Sequence, residues 1–471
     1  MDEIKMNYSS IEEKNKQGIG SKYFLYIVYV AFVFVLAYSI WPKYEASQFS
    51  AYHYVLDFHL GKLILGIGLA LFLSYTVYKR FSTDISFSGR TILLLSMLYF
   101  IPGIAISCAL NFDWGYLLAY LVYYYVMVLA DRFIGKPRKA PIKVKEGQAK
   151  IIFWILIIVA LLYPVVMASI YNRSFSIANF LLTFDDPYGM RAQAREKGIS
   201  WAFLLIENWG VYFGALLITY SLKRKNTILA VAFILVEAFY FSLQGNRIYI
   251  FITGIAILLG IFKLKEEHLP HIFIGLLGVQ ILEFLLFHNL HNVGFVMNVF
   301  RRFSIVPNII STKYYEFFLT EVPDFLRDYF PNISRLFGTS SPYGVNVGYT
   351  IGQQFFGMYL NANTGLVGGA FFEFGFLGVI IDPIMLVLSF RIFEKVLFSA
   401  ENEITMITAL IYASLAINSW SLWAQCIRIS YVPLLIISIY IMVNREDYEL
   451  SYRETKRKLR FKRGGAHGRS F

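Results

Sequence analysis

The sequence predicts an all-α polytopic membrane protein of about twelve transmembrane helices. Of its 471 residues, 57% are hydrophobic and only 16% are charged, a balance that is unusual for a soluble chain of this size. Apolar runs of about 18 residues or more recur along the chain, and each can cross a hydrocarbon core of roughly 30 Å. The first 22 residues are polar and the first apolar run is a full span, so we expect no cleavable signal peptide.

The predicted spans are joined mostly by short loops. They cover residues 23–41, 60–78, 91–110, 114–131, 151–170, 201–221, 227–242, 248–263, 271–288, 366–390, 404–421 and 429–444. Two segments between spans are long, 171–200 and 289–365, and the second precedes the tenth span. Long loops in compact proteins tend to carry function. In the second, "FVMNVFRRFSIV" and "VPDFLRDYF" look like short amphipathic helices lying at the membrane face.

The distribution of lysine and arginine predicts the orientation of the chain. The basic segment 131–150 and the tail "YRETKRKLRFKRGGAHGR" fall on the same side as residues 1–22, and we expect that side to be cytoplasmic. The predicted domains are a cytoplasmic segment 1–22, a membrane domain 23–444 and a basic cytoplasmic tail 445–471. The net charge of +12 is mostly this topology signal, and no aromatic or patterned basic stretch indicates nucleic-acid binding.

The two cysteines, Cys108 and Cys426, both fall near outward ends of predicted spans. A disulfide and a pair of free thiols are both open, and we expect free thiols. No P-loop, HExxH or zinc-like pattern is present in the sequence, so we expect neither a metal nor another cofactor.

Basic residues on the predicted outer side are mostly arginine, with nine arginines against four lysines. The planar guanidinium can grip two phosphate oxygens at once, which makes these arginines candidate phosphate ligands. The alternative for each is an ordinary surface ion pair. The candidates in the two long segments are Arg191, Arg195, Arg301 and Arg302.

Arg247 in "LQGNRIYIF" and Arg428 in "WAQCIRISY" each stand directly before a span that runs inward. Free N–H groups and the positive end of the helix dipole gather at such a helix start, which favours an anion. A guanidinium beside them would complete a phosphate site. The alternative is that each arginine reaches the lipid headgroups.

Four glutamates lie inside predicted spans: Glu207, Glu237, Glu283 and Glu373. Each falls about 8–12 Å from the outward end of its span. An ionised side chain at such a depth is costly, so their shared depth predicts a water-filled outward cavity in which they pair with arginines. The alternative is a protonated or hydrogen-bonded glutamate between helices.

The segment "NANTGLVGGAFFEFGFLG" (361–378) carries one of these glutamates. Gly365, Gly369 and Glu373 are spaced by four and form one stripe of a helix, which could admit a slender ligand or pack against a neighbouring helix. Asn361, Asn363 and Thr364 stand just before it and are expected to cap the helix start. The two asparagines are also candidate substrate-binding residues.

These features resemble the Wzy-type polymerases of O-antigen and capsule repeat units, a family related to the O-antigen ligases. The resemblance rests on "QGNR" before a span, on the long outer segment late in the chain and on "TGLVGGAFFEFGFLGV" after it, and it covers roughly residues 170–435. It implies a glycosyltransferase of the GT-C-like class in the bacterial inner membrane, with both termini cytoplasmic.

The resemblance also implies a reaction. Such enzymes transfer a growing glycan en bloc from undecaprenyl diphosphate to a second lipid-linked repeat unit, in some cases with a chain-length regulator protein as partner. It implies that Arg247 and Arg428 bind the diphosphate leaving group, and that Arg191 and Arg195 match an arginine-bearing loop of the family. The resemblance makes Glu373 the candidate general base for the acceptor hydroxyl.

Two alternative functions are open on the sequence. An O-antigen ligase would use the same arginines but would transfer glycan to a different acceptor. A flippase or exporter of lipid-linked oligosaccharide would fit twelve spans with both ends inside, but the long segment 289–365 is unusual for a carrier.

Overall fold

The computed structural model describes two compact units built from helices. Unit 1 is formed by Met1–Gly135, Leu264–Leu388 and Ala409–Arg428, and unit 2 by the rest of the chain. The described residues are 22–48, 54–137, 144–171, 201–244, 248–262, 264–287, 294–327, 341–343, 347–358, 362, 365–418 and 431–443. The predicted cytoplasmic tail 445–471, and the segment 1–22 except for its last residue, lie outside them.

Fifteen helices make up the described part of the chain. In chain order they are α1 (Lys22–Ala46), α2 (Leu60–Phe81), α3 (Phe87–Ala109), α4 (Trp114–Phe133), α5 (Glu146–Tyr171), α6 (Trp201–Lys223), α7 (Thr227–Gln244), α8 (Ile248–Ile261), α9 (Leu269–Phe287), α10 (295–318), α11 (Val347–Phe356), α12 (Leu366–Phe374), α13 (Gly378–Val396), α14 (Asn402–Asn418) and α15 (Tyr431–Val443).

Within the described residues, seven helical segments are long and apolar enough to cross a membrane. They correspond to α1, α2, α3, α4, most of α5, α9 with the turn before it, and α12 together with α13. Shorter apolar stretches lie in α7 and α8. The chain is therefore a multi-pass helical membrane protein, as its composition predicts.

Helix α3 is the buried centre of unit 1. Every residue from Phe87 to Ala109 is buried. An α-helix that is apolar on all sides can satisfy its whole surface only by being surrounded by other helices or lipid, and here α2 and α10 pack against it. Its one charged residue, Arg90, forms an ion pair with Glu266 at the start of the α9 segment.

A π turn, Ser96–Phe100, interrupts α3 near its middle. Side chains from three other helices donate to the carbonyl oxygens at this turn. The hydroxyl of Tyr29 on α1 donates to Met97, Ser304 on α10 donates to Leu98, and Tyr120 on α4 donates to Tyr99 at 2.8 Å. Insertion of side chains beside a helical hydrogen-bond ladder is a known companion of such turns. The turn therefore fixes α1, α4 and α10 around α3.

Helix α10 differs from the prediction for this stretch of the long segment 289–365. The sequence "FVMNVFRRFSIV" suggested a short helix lying at the membrane face. Instead it belongs to a helix of 24 residues, interrupted by a π turn at Arg301–Ile305, whose polar side chains are buried inside unit 1. These buried polar residues recur every three or four positions, at Asn298, Arg301, Ser304, Asn308 and Ser311, and Thr312 stands next to the last of them.

The polar stripe of α10 is buried because it contacts α3 and α4. Asn308 donates to the carbonyl of Tyr99 at 3.3 Å, and its Oδ1 lies 2.9 Å from the Tyr120 hydroxyl, whose single proton is shared with the Tyr99 carbonyl. The hydroxyls of Ser311 and Tyr99 form a hydrogen bond of 3.0 Å. Amphipathic periodicity shows that a helix has two unlike faces. It does not show which face meets the protein and which meets lipid or water.

Unit 2 is built around α6, α7 and α8, with α5 and α15 against them. The turn between Lys223 and Thr227 is short, so α6 and α7 run antiparallel. Asn226 accepts a hydrogen bond from the Leu229 N–H at 3.1 Å, which caps the start of α7. Thr219 on α6 donates to the carbonyl of Ala256 on α8 at 3.2 Å and sets the register of these two helices.

Cys108 is a buried free thiol at the end of α3. This agrees with the expectation for that cysteine. Cys426 lies outside the described residues.

Helices α12 and α13 are separated by a sharp break. Gly375 has φ +61 and ψ −137, a conformation that only glycine adopts readily, and a single 3-10 turn follows. A methyl group at Gly378, the first residue of α13, would overlap the backbone carbonyl of Ala370 on α12. The two helices therefore approach each other so closely that only a hydrogen atom fits at this position.

Substitution of Gly378 by alanine tests the close approach at the break. We expect Gly378→Ala to lower the free energy of unfolding by about 1–3 kcal/mol, because backbone atoms cannot move aside as a flexible side chain can. Thermal unfolding in detergent measures the effect. The matched control is Gly254→Ala in α8, where a methyl group would meet nothing within 4 Å. Equal stability of the two variants would contradict the break as described.

Candidate functional site

Glu373 stands in the last turn of α12, just before the break. Its helix is formed by "LVGGAFFEF", and every residue from Leu366 to Glu373 is buried. Glu373 itself has 0% of its surface exposed. The glycines of the predicted stripe are thus covered by protein, and helix α10 packs against α12. The helix begins after Gly365, and no side chain of the described residues caps it.

The carbonyl groups at the end of α12 are satisfied by a loop that follows α10. The Asp324 N–H donates to the Phe372 carbonyl at 2.8 Å, and the Phe325 N–H donates to the Glu373 carbonyl at 2.9 Å. A helix end leaves four carbonyls without an intrahelical donor, and a buried end needs such partners. The loop therefore allows the helix to stop inside the apolar part of unit 1.

The same loop holds strained backbone. Phe325 and Leu326 have φ of 52° and 63°, which is uncommon for residues with bulky side chains and costs about 1–3 kcal/mol each. Arg327 stabilises this conformation, because its guanidinium donates to the carbonyls of Asp324 at 2.6 Å and Pro323 at 2.9 Å. Strain of this kind is common at functional sites and persists only where the surroundings enforce it.

A buried phenol lies within electrostatic range of the Glu373 carboxyl. The phenol of Tyr123 on α4 is within electrostatic range of both Glu373 and Asp382 on α13. All three side chains are buried. The Tyr123 hydroxyl has no hydrogen-bond partner in the described part of the chain. The Tyr123 phenol thus lies within electrostatic range of one carboxyl on each side of the helix break, and groups of this type can hold or move a proton.

Asp382 and Tyr123 were not among the predicted site residues. Asp382 directly precedes Pro383 within α13, a position that is typical of a helix bend. Tyr123 belongs to the tyrosine-rich run of α4, where nothing distinguishes it from its neighbours. Two acids nine residues apart would lie on different sides of a continuous helix, so only the break brings both near one phenol.

The described glutamates are surrounded by protein groups, and not by the predicted water-filled cavity. Glu373 and Glu237 are both buried in protein. Glu283 is part-buried and accepts hydrogen bonds from the backbone N–H groups of Val296 and Met297 at 2.9 and 2.8 Å, at the start of α10. The side chain of Glu207 is outside the described part. Similar depth along a helix does not determine which direction a side chain faces, and these carboxyls face different neighbours.

Arg301, a predicted diphosphate ligand, forms a buried ion pair. Its Nε lies 2.6 Å from Oε1 of Glu45 on α1, and the two side chains have 1% and 0% of their surface exposed. Arg302 is partly buried and within electrostatic range of the same glutamate. Glu45 gave no signal in the sequence, because it lies at the end of a span among ordinary interfacial residues.

The other predicted site residues lie outside the described part of the chain. They are Arg191, Arg195, Arg247, Asn361, Asn363 and Arg428. Within the described ranges, no group of three or more His, Cys, Asp or Glu side chains is arranged to hold a metal ion.

Compared with known proteins, the chain matches no protein family, no curated protein and no solved structure.

The buried pair of Arg301 and Glu45 gives a prediction about stability. We expect Glu45→Gln or Arg301→Met alone to lower the free energy of unfolding by about 3–5 kcal/mol, because each leaves a buried charge without its partner. The double variant Glu45→Gln with Arg301→Met should lose less unfolding free energy than the two single variants together, because it leaves no unpaired buried charge. Thermal unfolding in detergent measures all three.

The control for these variants is Lys313→Ala, which removes a more exposed ion pair with Glu316. It should lower the free energy of unfolding by about 0–1 kcal/mol. Additive losses in the double variant would show that the two groups do not depend on each other.

Proposed function

We propose that the chain is a polymerase of lipid-linked oligosaccharide repeat units. Its reaction would transfer a glycan en bloc from undecaprenyl diphosphate to an acceptor sugar on a second lipid-linked unit, with lipid diphosphate as the leaving group. The product would be O-antigen or capsular polysaccharide. In this proposal the reaction takes place at the outer face of a bacterial inner membrane. The enzyme would cross the membrane twelve times, have both termini in the cytoplasm and belong to a GT-C-like class of glycosyltransferases.

One observation carries the proposal: a carboxyl group, Glu373, lies at the broken end of an apolar helix, in the segment that resembles the polymerases. Non-helical backbone at membrane depth is tolerated where protein or a water-filled cavity satisfies it, and broken helices in transport proteins commonly border the substrate site. Here the loop after α10 satisfies the broken end, and the Tyr123 phenol lies within electrostatic range of Glu373 before the break and of Asp382 after it.

The chemistry needs a base and a set of cations. Glu373 is enclosed by protein in this structure, so substrate entry would have to expose it. It would then take the proton of the acceptor hydroxyl as the hydroxyl oxygen attacks the anomeric carbon and the bond from that carbon to the diphosphate breaks. Arg247 and Arg428 would bind the diphosphate as its charge develops. Arg191, Arg195, Arg302, Asn361 and Asn363 would contact the remainder of the lipid-linked substrate.

Arg301 has a different role in this proposal. Its guanidinium forms an ion pair with Glu45 inside unit 1 and so stabilises the position of α10. Of the two adjacent arginines, Arg302 is therefore the one that would contact substrate.

The lipid bilayer itself is a partner of the apolar helices. A chain-length regulator protein is a second partner that the sequence resemblance suggests, and nucleic acid is not one. An O-antigen ligase and a flippase or exporter are the alternative functions. A ligase would transfer glycan once to an acceptor that is not a lipid diphosphate. An exporter would move lipid-linked units without joining them.

The polymerase proposal predicts a ladder of glycan lengths. Purified protein in liposomes, given lipid-linked repeat units, should join them, and gel electrophoresis of the glycan measures the products. Arg247→Ala and Arg428→Ala should each lower the rate by about 10²–10³-fold, as expected when a group that stabilises developing charge is removed. Glu373→Gln should lower it by about 10²–10⁴-fold.

The control variant is Arg132→Ala, an exposed arginine at the end of α4 in the segment predicted to be cytoplasmic. It should keep the full ladder. All variants are compared at equal protein level and with intact thermal unfolding. An unchanged ladder in Arg247→Ala and Arg428→Ala would contradict the diphosphate site, and transfer of single units to another acceptor would favour the ligase.

A further inference from the structure

Glu237 is a buried carboxyl of unit 2 to which the proposed reaction assigns no role. It lies in the middle of α7, where α7 contacts α6, and 1% of its surface is exposed. A methyl group built at Gly214 on α6 would overlap its Oε1 atom. The carboxyl therefore fills the space left by the missing side chain of this glycine, and it is held between two antiparallel helices.

Neither oxygen of this carboxyl has a hydrogen-bond partner in the described ranges of the chain. Buried polar atoms in folded proteins are nearly always hydrogen-bonded, so an exception calls for a physical cause. An ionised carboxylate would be especially unfavourable here, since it needs several donors or a cation beside it.

The helices around Glu237 supply no such cation among the described side chains. Helix α7 carries no other charged residue, and α8 carries none at all. On α6, Lys223 is nine residues from Gly214, roughly 13 Å along the helix, and its ammonium group binds Glu403 at 2.6 Å. Lys150 lies near the start of α5. None of the described charged groups acts on Glu237.

The remaining titratable residues of these helices are an acid on α5, an acid on α6, and tyrosines. They are Glu146, Tyr163, Tyr171, Glu207, Tyr212, Tyr220, Tyr240 and Tyr249. Of these, Tyr212, Tyr220 and Tyr240 have described side chains, and none of the three donates a hydrogen bond to Glu237.

We propose that Glu237 is a proton-binding site in the contact between α6 and α7. At neutral pH the carboxyl is protonated, with an O–H bond on one of its two oxygens, and it is therefore uncharged. A divalent metal ion would need further ligands, and no metal-binding group is formed in the described ranges.

The position of the site links the proton to helix packing. Release of the proton would leave a carboxylate against Gly214 with no donor, so water or a cation would have to enter between α6 and α7. Bound proton and close contact of the two helices therefore favour each other. This inference concerns unit 2 alone and does not depend on the proposed polymerase activity.

Infrared spectroscopy of the full-length protein in liposomes tests the proposal. A protonated carboxyl has a C=O stretching band that is separate from the carboxylate bands and shifts in D₂O. We expect the wild-type protein to show one such band that is absent from the spectrum of Glu237→Gln. In the wild type this band should persist from about pH 6 to about pH 8, a range in which a free glutamate is ionised. The control is Glu394→Gln, whose carboxylate is paired with Arg391 at 2.7 Å and should contribute no such band.

Stability measurements make the test independent of the spectrum. Glu237→Gln replaces a neutral group by a neutral group of the same shape, so its melting temperature at neutral pH should match that of the wild type. Glu394→Gln should lower it. Gly214→Ala should also lower it, and adding Glu237→Ala to Gly214→Ala should recover part of the loss, because the overlapping carboxyl is then absent.

Three results would overturn the proposal. The first is a spectrum in which Glu237→Gln changes only carboxylate bands. The second is a protonated-carboxyl band that disappears when sodium is added, which would make the site a sodium site. The third is a Gly214→Ala variant as stable as the wild type, which would remove the carboxyl from the contact between α6 and α7.

Discussion

Backbone carbonyls at the π turn of α3 set the arrangement of unit 1. In a buried helix these groups cannot turn to water, so each needs a donor from the protein. Tyr29, Ser304 and Tyr120 supply such donors from α1, α10 and α4. Apolar surface alone would allow these helices to slide or rotate, because lipid is as apolar as leucine. The hydrogen bonds remove that freedom.

The helix break beside Glu373 depends on this arrangement. Helix α10 is fixed against α3, and the loop that follows it therefore reaches the end of α12. Its backbone N–H groups satisfy the last carbonyls of α12, and Arg327 holds its strained residues in place. A polar, interrupted stretch of backbone can thus exist inside an apolar unit. Such a place gives a carboxyl an environment unlike water, which is a condition for proton chemistry.

The buried charged and polar groups discussed above fall into two kinds in the described part of the chain: those with an ion-pair partner and those without a hydrogen-bond partner. Arg301 and Arg90 each have a carboxylate partner, and both pairs link segments far apart in sequence. Glu237 instead meets the backbone of a glycine, and Tyr123 has a hydroxyl without a hydrogen-bond partner among the described residues. A paired charge stabilises one arrangement of helices once formed, whereas a buried carboxyl without a donor or cation is stable only in its protonated, uncharged form.

Composition and the lengths of the apolar runs were enough to predict a helical membrane protein, because crossing lipid requires long apolar helices. Spacing also singled out the buried glutamates and the segment 361–378. The direction in which each side chain faces was decided by tertiary structure: the polar stripe of α10 faces inward, Arg301 pairs with Glu45, and Tyr123 lies within electrostatic range of both Glu373 and Asp382. Periodicity records that a helix has two faces, but only contacts between distant segments select the partner of each face.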